Sequence, residues 1–108
     1  VEMTLAIKPV WPTKNGFRHW LESCGTKSVG VCGSVERCAI ARYVLHLNPS
    51  ARKVIVDESR VQIVFDHDVF GRDFSKWQSD FIDLFDFGPD GEWRVGWMSG
   101  KKALELLR

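Results

Sequence analysis

Apolar positions along the chain fall into runs with different periods. Phe17, Trp20, Leu21 and Cys24 stand at helical spacing, predicting a short helix from Thr13 or Asn15 to Ser23 that Gly25 stops. Ahead of it, Met3–Val10 is partly apolar and ends in Pro9-Val10-Trp11-Pro12, whose two prolines impose an extended path. The glycine-rich stretch 25–33 holds Val29-Gly30-Val31, a candidate short strand. Ser34 then reads as an N-cap with Glu36 in the first turn, predicting a helix over 34–47 that ends before Asn48-Pro49. Its apolar residues Val35, Cys38, Ala39, Ile40, Ala41, Val44, Leu45 and Leu47 surround the axis, leaving gaps at Arg42 and His46. Such a helix is expected at the centre of the fold, covered on most sides.

The second half alternates more sharply. Lys53–Asp57 and Arg60–Asp66 are β-rich runs separated by Glu58-Ser59, an antiparallel hairpin with Val61, Ile63 and Phe65 on one face. Residues His67–Asp73 read as a loop. Ser75-Lys76-Trp77-Gln78 has capping-box form and opens a helix with Trp77, Phe81, Leu84 and Phe85 on its apolar stripe, Asp80 and Asp83 pointing elsewhere. Gly88-Pro89-Asp90-Gly91 is a turn signal; Trp93, Val95 and Trp97 alternate as a strand with the two tryptophans on one face. Ser99 caps a final helix carrying Ala103, Leu104, Leu106 and Leu107. The sum is an α+β fold: an antiparallel or mixed sheet of about three strands packed with about four helices, in one globular domain.

Composition narrows the function classes. In 108 residues, 15 Lys+Arg stand against 14 Asp+Glu, a formal net charge of +1, which speaks against a polybasic arm or an acidic tail. No apolar run reaches the ~18 residues of a bilayer span, and Val1-Glu2-Met3-Thr4-Leu5 lacks the basic start and apolar stretch of a signal peptide. With three cysteines, Cys24, Cys32 and Cys38, reduced thiols in a cytoplasmic protein are the expectation, and a Cys24–Cys32 bridge is the alternative. Their spacing is wider than the close pairs of structural zinc sites, so no metal or other cofactor is expected. No phosphate-binding glycine motif or nucleophile elbow occurs.

Three groups of candidate residues remain. Asp66-His67-Asp68 with Asp73 is the densest ionisable cluster, a conceivable divalent-metal or acid–base site for a metal-assisted hydrolase; an ordinary solvated loop is the favoured reading of the same residues. Lys8, Arg18, Arg52 and Lys53 are the basic candidates for a nucleic-acid surface. Five Trp, seven Phe and one Tyr exceed what a small core readily absorbs, and tryptophan is enriched where proteins meet partners. Trp11, Phe70, Trp93 and Trp97, with Asp80 and Asp83, are the interface candidates, Trp11 being the one expected to be most exposed; a Trp-rich core is the alternative.

Cys38-Ala39-Ile40-Ala41-Arg42-Tyr43, together with Phe81-Ile82-Asp83-Leu84-Phe85-Asp86 and Ala103-Leu104-Glu105-Leu106-Leu107, resembles a diffuse set of small bacterial and phage-borne proteins without assigned function. This chain departs from that pattern at Ala39, where proline is usual. The resemblance implies a small microbial or viral domain and carries over no catalytic residue. The expectation is a non-enzymatic interaction module with a protein partner, such as a phage- or mobile-element-encoded inhibitor of a host system acting by occlusion. A homodimer and a nucleic-acid partner are the other associations considered, and no membrane association is expected.

Overall fold

The computed structural model describes residues 8–57, 59–88 and 90–107. The opening segment before Lys8, Glu58 in the expected hairpin connection and Pro89 in the expected turn lie outside the described residues. The fold is α+β, with four helices and two small antiparallel sheets instead of one among the described residues. Helix α1 (Lys14–Cys24) is followed by β1 (Ser28–Val31), α2 (Ala39–Leu47), β2 (Lys53–Val56), β3 (Arg60–Val64), β4 (Val69–Asp73), α3 (Lys76–Asp86), β5 (Trp97–Ser99) and α4 (Gly100–Leu106). One sheet pairs β1 with β5; the other runs in the order β2-β3-β4.

Helix α1 starts where its cap stands: the Gly16 amide donates to Thr13 Oγ1 at 3.1 Å, and the helix buries Phe17 and Leu21. Phe17 sits at the hub of an aromatic cluster, edge-on to Phe81 at 4.9 Å and tilted against Tyr43 and Trp77 at 5.4 and 5.7 Å. Those contacts tie α1, α2 and α3 together over one apolar core. In α3 the capping box forms as the sequence implies, with the Ser75 amide donating to Gln78 Oε1 at 2.8 Å. Its buried face is Gln78, Phe81, Ile82 and Phe85, so Ile82 replaces the half-buried Leu84 of the expected stripe.

The helix expected over 34–47 begins at Ala39. Residues 34–38 form a turn in which Ser34 Oγ accepts the Arg37 amide at 3.1 Å. Backbone carbonyls of this turn face the sheets: Arg37 O accepts Val31 N–H at 2.8 Å and Val35 O accepts Val56 N–H at 2.6 Å. A carbonyl that pairs with a strand is unavailable to a helix ladder, so the cap moves to Cys38, whose sulfur accepts the Ala41 amide at 3.5 Å. The shortened α2 buries Ala39, Ile40, Ala41, Tyr43 and Val44 but leaves Arg42, Leu45 and His46 exposed, so it is covered on one side and not surrounded.

The β2–β3 hairpin has the expected form, Val54 opposite Ile63 and Val56 opposite Val61, and Asp57 Oδ1 closes it by accepting the amides of Ser59 and Arg60 at 3.0 and 2.9 Å. The stretch expected as a loop, His67–Asp73, instead supplies β4 from Val69 onward, in register from Val64↔Val69 to Arg60↔Asp73. Strand β5 is shorter than expected: Trp97–Ser99 pairs with β1, while Trp93 makes a separate bridge to Phe87. The two tryptophans therefore do not share a strand face.

At Gly30 the chain of β1 passes directly against the entry to α2. A Cβ there would lie 2.5 Å from the Ala39 nitrogen and 2.7 Å from the Arg37 carbonyl oxygen, both backbone atoms that cannot swing away. Gly30→Ala is expected to push the turn and α2 off β1 and lower stability by about 1–3 kcal/mol or more. Urea denaturation against the parent protein measures it.

Candidate functional site

Two of the interface candidates stand in solvent. Trp93 and Trp97 are each 63% exposed, and Val95 between them is 88% exposed. The segment is held in this outward arrangement by its one inward-turned member, Arg94. Arg94 Nε donates to the carbonyls of Leu84 and Phe87 at 3.0 and 3.2 Å, at the end of α3, and the Arg94 amide donates to Asp86 O at 2.7 Å. A cation bonded to the last carbonyls of a helix also answers its dipole. With alternate side chains on opposite sides, fixing Arg94 inward turns Trp93 and Val95 out. Trp93 stacks on Phe87 at 4.4 Å, and Trp97 lies under the Arg42 guanidinium at 5.9 Å.

Beside Trp93 opens a groove of about 820 Å³. Its apolar surface comes from Val35, Val56, Ile82, Phe87 and Trp93, contributed by the 34–38 turn, β2, α3 and the segment after it. Three carboxylates, Asp57, Asp83 and Asp86, line it as well, and no described lysine, arginine or histidine does. Asp86 is also a structural tie: its Oδ1 accepts the Gly33 amide at 2.8 Å, joining α3 to the turn across the groove. Gly33 has φ +77, a conformation other residues rarely adopt. Burial pushes the Asp86 carboxyl above its ordinary range, the Gly33 amide draws it back, and the Asp83 charge raises it. Asp57 is shifted the other way, held low by the amides of Ser59 and Arg60.

The remaining candidates are distributed over the surface. Trp11, expected to be the most exposed, is half-buried against the core with Arg72 stacked over it at 5.6 Å. The reason is Asn48, a buried residue at the end of α2. Its Oδ1 accepts Val10 N–H at 2.8 Å and its Nδ2 donates to Val10 O at 2.9 Å, fastening the extended segment down. Phe70 is half-buried, edge-on to Phe65 at 5.9 Å. Asp80 pairs with Lys76 at 3.1 Å one turn away, while Asp83 faces the groove.

Asp66, His67 and Asp68 form the turn between β3 and β4, closed by Phe65 N–H donating to Asp68 O at 2.8 Å. Asp66 pairs with Arg52 at 3.7 Å, and Asp73 pairs with Arg60 at 3.6 Å at the far end of β4, roughly 17 Å along the strand. Among the described residues no group of three or more His, Cys, Asp or Glu is placed to hold a metal ion. Of the basic candidates, Lys8 is exposed, Arg18 bonds Asn15 at 3.0 Å, Arg52 is paired as above, and Lys53 lies 3.9 Å from Glu36. Cys24, Cys32 and Cys38 are free thiols; burial holds Cys38 neutral, its pKa pushed up to about 12, and raises Cys32, which also feels Asp86.

No described helix is long and apolar enough to cross a membrane. Comparison of the chain with protein-family models, with curated proteins and with solved structures returns no match.

Asp86 makes stability depend on pH in a sense opposite to an ordinary paired carboxylate. Because its folded pKa is raised, the native state holds a proton that the unfolded chain, near 3.8, releases. Its stabilising contribution is complete below 3.8 and is lost as pH rises through the raised folded value. Chemical denaturation across the acidic range is expected to show the parent gaining stability relative to Asp86→Asn as pH falls, since Asn titrates nowhere and its Oδ1 still accepts from Gly33.

Proposed function

We propose that the chain is a non-enzymatic interaction module that docks on a partner protein through the ridge of Trp93, Val95 and Trp97 and the groove beside it. The observation that carries this reading is the exposure of three large apolar side chains within five residues, on a backbone whose inward residue is tied to α3. Each indole carries about 150–250 Å². With 63% exposed, on the order of 100–150 Å² of each stands in water, and at about 25 cal/mol per Å² its burial is worth about 3 kcal/mol. Two such anchors beside Val95 are the centre of an ordinary protein–protein hot spot. Leaving them in water has a solubility cost that a partner removes. For a small microbial or phage-borne domain, the concrete form of this reading is an inhibitor that occludes a working surface of a host protein.

A photo-cross-linking residue at position 95, expressed in the native host, identifies the partner, and affinity is then measured between purified proteins. The Val95→Ser/Trp97→Ser double variant is expected to bind at least tenfold more weakly with an unchanged circular dichroism spectrum. Val69→Ser, which removes a 62%-exposed valine on β4, is expected to bind normally. A folded double variant that binds like the parent overturns the reading.

A further inference from the structure

We infer that the groove beside Trp93 receives an arginine-bearing, apolar-flanked peptide segment of the docked partner. This deepens the docking reading and rests on it. Charge complementarity carries the choice of occupant. Asp57, Asp83 and Asp86 bring three carboxylates to one groove, and none of them forms an ion pair among the described residues. Arg94 bonds the Leu84 and Phe87 carbonyls, Lys53 lies against Glu36 and Arg60 against Asp73, and none of the three lines the groove, although the Arg60 charge is felt at Asp57. An anionic occupant, whether a nucleic-acid strand, a phosphorylated peptide or an acidic helix, meets three carboxylates here and no lining cation.

The groove is also more than acidic. Val35 is 49% exposed although it belongs to a turn bonded to β2, and Val56 and Ile82 line the same groove. An occupant must therefore supply apolar contact and positive charge together. Arginine suits this better than lysine: its planar guanidinium forks onto carboxylates, stacks on aromatic faces such as that of Trp93, and sheds water more readily than an ammonium. At half-buried Asp86 a guanidinium offsets the burial and the Asp83 charge that both disfavour its ionised form. Its tie to Gly33 keeps the two walls of the groove in place before anything binds, which reduces the ordering cost of docking.

The test uses the full chain and fluorescein-labelled twelve-residue peptides of alternating Arg and Leu, with Lys–Leu, Gln–Leu and Glu–Leu counterparts. Fluorescence anisotropy measures affinity at low and moderate salt, and amide chemical-shift mapping locates the peptide. The expected order is Arg–Leu, then Lys–Leu, then Gln–Leu, with no binding of Glu–Leu. Affinity should weaken as salt rises, and the shifts should gather at Gly33, Val35, Asp86 and the Trp93 indole. Asp83→Asn, which removes the charge of an exposed residue outside the core, should weaken Arg–Leu binding about tenfold. Asp68→Asn, in the β3–β4 turn, should leave it unchanged. Equal binding of the Gln–Leu or Glu–Leu peptide, equal effects of the two variants, or an absence of shifts in the groove overturns the inference. If that happens while Val95→Ser/Trp97→Ser still loses the partner, docking stands without the basic segment; if the double variant keeps the partner, the docking reading itself falls.

Discussion

The passage of Gly30 against the start of α2 is the constraint from which the arrangement around the groove follows. No side chain fits between β1 and the backbone at Arg37 and Ala39, so strand and turn meet main chain to main chain, with Val31 N–H donating to the Arg37 carbonyl at 2.8 Å. The other side of the same turn reaches β2 through Val35 O and Val56 N–H. The turn thus stitches the two sheets together, and α2 leaves it already aimed across both. Had residues 34–38 continued as helix, their carbonyls would have been spent on the helix ladder and the sheets would have lost this joint.

A second joint completes the groove. Asp86 on α3 accepts the Gly33 amide, and Arg94 bonds carbonyls of Leu84 and Phe87 near the α3 terminus. These polar contacts, each modest in net energy, decide geometry more than stability. They place the end of α3 beside the turn and force the following segment to turn its apolar members away from the protein. The outward turn of Trp93 and Val95 is therefore a consequence of where one arginine bonds, while Trp97 is placed by the pairing of β5 with β1. The same carboxylate that ties the walls together supplies part of the groove's negative potential.

Much of the fold was legible locally. Ser75 and Ser99 mark helix starts because a cap hydroxyl or its partner acts within three residues, and the β2–β3 hairpin announces itself through alternation of Val, Ile and Phe. Strand β4 was not legible. Val69-Phe70-Gly71-Arg72-Asp73 has no buried alternating face, and it is extended because β3 offers a hydrogen-bonding edge. Trp11 misled for a related reason: its flanking prolines signal an extended path, but whether that path lies on the core depends on Asn48, far along the chain.

Of the candidate site, the chain alone exposed Trp93, Trp97 and Asp83, residues conspicuous by type. It gave no sign of Asp57, Asp86, Val35 or Val56 as their neighbours, because the groove is assembled from separate segments and no periodicity records their distance in space. Sequence determined the α+β class, the caps at Ser75 and Ser99 and the aromatic surplus, but not the cap of α2, which the sheets moved from Ser34 to Cys38. Tertiary structure alone decided which rings stayed outside and which carboxylates met. Those outcomes depend on backbone atoms of distant segments competing for the same hydrogen bonds.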